Sequence, residues 1–62
     1  MPLLSSEEMP IYRALGPYPV HIDELVRELD TAPGKLSGML LGLELRGIVH
    51  QSPGKMFSLK EE

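Results

Sequence analysis

Leu36, Leu40 and Leu43 recur at the i, i+4, i+7 spacing of one helix face, and Arg46 and Gly47 follow as an ending. That order constrains the fold more than any other stretch. A cation in the last turn suits the negative end of a helix dipole, and a glycine just beyond it accepts the left-handed backbone that closes many helices. Pro33 suits the first turn of this helix, with Thr31 or Ala32 at the cap and Met39 at the edge of the core face. Downstream, "IVHQ" and "MFSL" flank "SPGK", with proline second and glycine third as in a reverse turn. Two strands joined this way form a hairpin. A Pro-Gly type II turn matches strand twist poorly in a two-residue loop, so a longer, mobile tip spanning Ser52 to Lys55 is expected.

Two helices precede this unit. Ser5 and Ser6 before Glu7 and Glu8 read as a hydroxyl cap with acids in the first turn, which predicts a helix from Glu7 to Leu15. Ile11, Ala14 and Leu15 form its apolar stripe, and Gly16 with Pro17 stops it. The prolines of "PYPV" push their neighbours to extended backbone, so a short strand over "PVHI" is expected to pair at the edge of the hairpin. His21 stands at a cap position with Glu24 three residues on, the spacing of a capping box. From Ile22 to Leu29 the chain reads as a second helix burying Ile22, Leu25, Val26 and Leu29. The sum is a mainly α winged helix-turn-helix: three helices and a small terminal β-hairpin, with Val49, Phe57 and Leu59 facing the helices.

A chain of 62 residues is one domain, and at that size it buries only about 60% of its unfolded surface. It has no cysteine, so no disulfide or thiolate zinc site assists the core. That usage fits a reducing setting. No apolar run approaches the roughly 18 residues of a membrane span and no signal peptide opens the chain, so a soluble, cytoplasmic protein is expected. The net charge of −3 is unevenly placed. Arg13 and Arg27 stand against Glu7, Glu8, Asp23, Glu24, Glu28 and Asp30 in residues 1–30, whereas Lys35, Arg46, Lys55 and Lys60 stand against Glu44 in residues 31–60, with Glu61 and Glu62 completing the total. Such a split can orient a domain towards a polyanion despite its net charge.

With these elements placed, "GPYPVHIDELVREL" and "LSGMLLGLELRGIVHQSPGKMFSL" resemble the C-terminal winged-helix domain of the DNA processing protein A family (DprA, also called Smf). The matching motifs are Gly16 to Val20, Asp23 to Leu25, Leu40 to Gly47, and Pro53 with Gly54, and the resemblance runs from about Ser6 to Leu59. It departs at Asp30 and Thr31, where the family usually has Gly-Leu, and at Gly38 and Gly42, where Ala and Glu are expected. The resemblance implies a longer parent, in which a Rossmann-like domain binds single-stranded DNA and helps load the RecA recombinase in natural transformation. Residues 1–62 then read as an appended module with a flexible lead (1–5) and tail (60–62), giving weak, largely non-specific DNA contact, with a protein-interaction module as the alternative.

The residues offer no constellation of nucleophile, base and orienting group, and two histidines without cysteine do not make a metal site; no cofactor is expected. His21 reads as a cap and Arg46 as a dipole-matching ending. Lys35 near a helix N-terminus, Ser37 on the same helix, His50 in the wing, and Lys55 and Lys60 at and beyond its tip are the candidate DNA contacts. Arg, Asn and Gln are missing from the outer face of the third helix, so contact would be weak, phosphate-dominated and largely sequence-independent. Gly38, Leu41, Gly42 and Leu45 on that outer face suggest instead a small apolar patch for a protein: RecA, a single-strand-binding protein, the parent Rossmann-like domain or a second copy. The plainer expectation is that Leu45 packs beside the first helix, or against Leu3 and Leu4.

Overall fold

The structure, a computed structural model, describes residues 4–60. Its elements run α1 (Met9–Ala14), β1 (Val20–His21), α2 (Ile22–Leu29), α3 (Pro33–Leu45), β2 (Val49–Ser52) and β3 (Met56–Leu59). The strands form one antiparallel sheet in the order β1-β3-β2, so the last strand lies in the middle. Val20 pairs with Phe57, and Gln51 pairs with Phe57 from the other side. Ile11, Leu15, Leu25, Leu36, Leu40, Leu43, Val49 and Phe57 make one core between the helices and the sheet. Every leucine of the α3 stripe is fully buried. Leu59 and Leu4 pack against that core from the edge.

The first helix is shorter than its sequence suggests. Its expected hydroxyl cap forms one turn earlier, where the Ser5 Oγ accepts the Glu8 N–H at 3.2 Å and the Ser5 N–H donates to the Glu8 Oε1 at 3.0 Å. This is a capping box closed around a turn, after which Pro10 enters the first positions of α1. Leu15 leaves the helix in extended conformation ahead of Gly16 and Pro17. Of the expected lead, Ser5 takes part in this box and Leu4 packs against the core; residues 1–3 and 61–62 lie outside the described residues.

His21 caps α2 through its Nδ1, which accepts the Asp23 N–H at 3.0 Å. Among the described residues the return bond from Glu24 is not made, so this is a single cap. Asp30 takes the left-handed conformation at φ 51° where α2 ends, and the Thr31 hydroxyl donates to the Leu29 carbonyl at 3.0 Å. Ala32 stands at the α3 cap without a side-chain bond. At the far end Gly47 is left-handed (φ 78°), its N–H reaching the Glu44 carbonyl and the Ile48 N–H reaching Leu43. These two bonds form a Schellman ending. The wing tip is a three-residue turn, Pro53 to Lys55, with both Gly54 (φ 86°) and Lys55 (φ 61°) left-handed.

Candidate functional site

Helical rotation divides the exposed surface of α3 into three stripes. Lys35 and Arg46 are three turns apart and so share one flank, which faces the turn preceding α1. There the Lys35 Nζ lies 3.3 Å from the Glu7 Oε2, and the Arg46 Nη1 lies 3.0 and 3.1 Å from the two oxygens of Glu8. Hydrogen bonding from the Ser5 backbone, joined by the Arg46 guanidinium, holds the Glu8 carboxyl below its ordinary pKa. Arg46, expected as a dipole-matching ending, therefore also ties the end of α3 to the start of α1.

The opposite flank borders a groove of about 500 Å³ between α2, α3 and the wing. Ile22, Val26, Gly38, Leu41 and Phe57 give it an apolar lining, with Gly38 and Leu41 at its exposed α3 edge, joined by Asp23, Ser37, Glu44, Gln51 and Lys55. Lys55 is brought there by the wing tip, whose Lys55 carbonyl accepts the Ile22 N–H at 3.0 Å. Asp23 comes from the first turn of α2, held by the His21 cap.

Between the flanks lies an outermost stripe of Gly34, Gly38, Leu41, Gly42 and Leu45. Leu41 is 56% exposed and Leu45 79% exposed, so Leu45 does not pack beside α1. The reason is rotational: position 45 lies about half a turn from the buried leucines. A Cβ added at Gly34, Gly38 or Gly42 would meet nothing within 4 Å, so packing inside the domain does not require these glycines.

Of the residues named from sequence, Ser37, Lys55, Gly38 and Leu41 converge on the groove. Lys35 lies on the other flank, engaged with Glu7. Lys60 follows β3 at the base of the wing, where its N–H donates to the Ile48 carbonyl, a strand's length from Lys55. His50 is exposed on β2 opposite Ser58. Gly42 is half-buried and, with Leu45, lies outside the groove lining. Sequence reasoning missed Asp23 and Glu44 as groove residues and Glu7 and Glu8 as partners of the α3 cations. The Asp23 and Glu44 positions were available in principle from helical rotation about the buried stripes.

Among the described residues no group of three or more His, Cys, Asp or Glu is disposed to hold a metal, and no helix is long and apolar enough to cross a membrane. No curated protein and no solved structure matches the chain. The family described as the DprA winged helix domain matches residues 2–55. With three helices, the antiparallel wing and that match across most of its length, the chain belongs to the DprA winged helix domain family.

Proposed function

We propose that this domain is a non-catalytic docking module of a cytoplasmic DNA-processing protein of natural transformation, and that its α3–wing groove holds a protein. The observation that carries this reading is the distribution of charge around α3. Lys35 and Arg46, the cations flanking this helix, sit away from the groove and already face Glu7 and Glu8. The groove itself combines an apolar lining with Asp23 and Glu44, which repel phosphate. RecA, a single-strand-binding protein and the parent Rossmann-like domain are the partners to try first.

DNA contact is the second reading, and the joint presence of Ser37 and Lys55 in one groove favours it. With Lys60 and His50 elsewhere on the wing, such contact is weak and phosphate-dominated, with no Arg, Asn or Gln on α3 to read bases bidentately. Amide shift mapping of the labelled domain separates the two. Shifts at Gly38, Leu41 and Phe57 with a protein partner, and none with single-stranded or duplex DNA, support docking. Shifts confined to the wing tip with DNA, and none with any of the three proteins, overturn it.

A further inference from the structure

We infer that the occupant of the α3–wing groove is a basic amphipathic helical segment, which seats apolar side chains over Gly38 and Leu41 and sets its cations against Asp23 and Glu44. This rests on the docking reading and names the chemistry of the partner.

Charge selects the occupant. Asp23 comes from α2 and Glu44 from α3, so each helix contributes an acid to the apolar groove, and Lys55 is the one cation in the lining. A polyanion meets repulsion from both acids. A second copy fares little better, because a two-fold contact through this face sets the acid-bearing flanks against each other between two chains of net charge −3. A segment bearing Lys or Arg beside an apolar stripe satisfies the apolar lining and the acids together.

Shape selects a helix. The groove runs between a helix and a hairpin, and its volume of about 500 Å³ admits several side chains. Gly38 presents bare backbone at the exposed α3 edge of the groove, with open space where a side chain would stand. A helix laid there approaches closely and reads the groove through side chains at i, i+4 spacing. Gly38 weakens α3 by about 1 kcal/mol relative to alanine, and no contact within the domain requires it.

Two synthetic peptides of about 18 residues, long enough to hold helix in water, test this. They carry the same apolar stripe, one with lysines on its flanks and one with glutamates. The lysine peptide is expected to shift the Gly38, Leu41 and Phe57 amides and to bind at least tenfold more tightly than its twin. Asp23→Lys with Glu44→Lys should exchange the preference; if that variant loses amide dispersion, Asp23→Asn with Glu44→Gln should abolish it. Equal binding of the twins at Gly38 and Leu41 overturns the charge assignment and leaves docking standing. Absence of groove shifts with the lysine peptide, while RecA, the single-strand-binding protein or the parent domain produces them, also overturns only this inference. Groove shifts with a single-stranded oligonucleotide and with none of the peptides or proteins overturn both.

Discussion

The Glu8 carboxylate joins the two ends of the helical layer: both of its oxygens lie within 3.1 Å of the Arg46 Nη1, at the end of α3. The same carboxylate closes the capping box with Ser5 ahead of α1. Glu8 is only 19% exposed at its side chain, which shields the contact better than most surface pairs. Arg46→Met removes the cation while keeping most of the stem. Thermal unfolding should show its melting temperature lowered by a few degrees, and Glu8→Gln should lower it similarly. If the pair couples the two segments, the double variant loses less than the sum of the single losses.

The depressed Glu8 pKa fixes the sign of a pH effect. A carboxyl whose folded pKa lies below its unfolded value stabilises the fold fully above the unfolded pKa, near 4.5, and loses that contribution as pH falls through the folded value. Stability followed by urea unfolding from neutral pH down to about 3 should therefore decline more steeply for the native chain than for Glu8→Gln. Parallel curves would show that the interaction does not distinguish the two protonation states.

Much of this fold can be read from local spacing. The buried stripe of α3, the Gly47 ending and the His21 cap all follow from residues a few positions apart, whereas the pairing of Val20 with Phe57 follows only from the order of the elements. The α1 boundary slips because Ser5 can close a capping box around a turn before Pro10 allows the helix to begin, and sequence spacing alone does not choose between them. The site was only half legible. Glu7 meets Lys35 across 28 positions and Glu8 meets Arg46 across 38, and no local signal pairs charges over such distances. Those pairings place Lys35 beside Glu7, on the flank of α3 away from the groove.

The glycines of α3 offer a clean separation of stability from binding. Gly38→Ala places its Cβ in open space, so the helix gains up to about 1 kcal/mol with no clash to offset it. In a domain this small that gain raises the melting temperature by about 4–8 °C. The same methyl group stands at the α3 edge of the groove and should weaken the lysine-flanked peptide. Gly42→Ala should stabilise comparably and leave peptide binding unchanged, since position 42 lies outside the groove lining.

Lys55 carries a left-handed backbone that glycine adopts without strain. Lys55→Gly should stabilise the wing by about 1 kcal/mol. It also removes the one cation of the groove lining. Affinity for the lysine-flanked peptide should rise and any affinity for DNA should fall, two changes of opposite sign in one variant, both measurable by isothermal titration.

The salt dependence of DNA binding tests most directly whether the cations of α3 form a phosphate-reading face. Four engaged cations would give a log-log slope of about −3.6 on the duplex and about −2.8 on the single strand, whereas Lys55 alone or with one neighbour gives about −0.7 to −1.8. Titration of a labelled single strand and a duplex, from about 50 mM to 200 mM salt over which the effect is large, should yield the shallow slope, unchanged by Lys35→Glu. A duplex slope near −3.6 that shrinks by about 0.9 or more in Lys35→Glu would show that phosphate displaces Glu7, and would contradict the account.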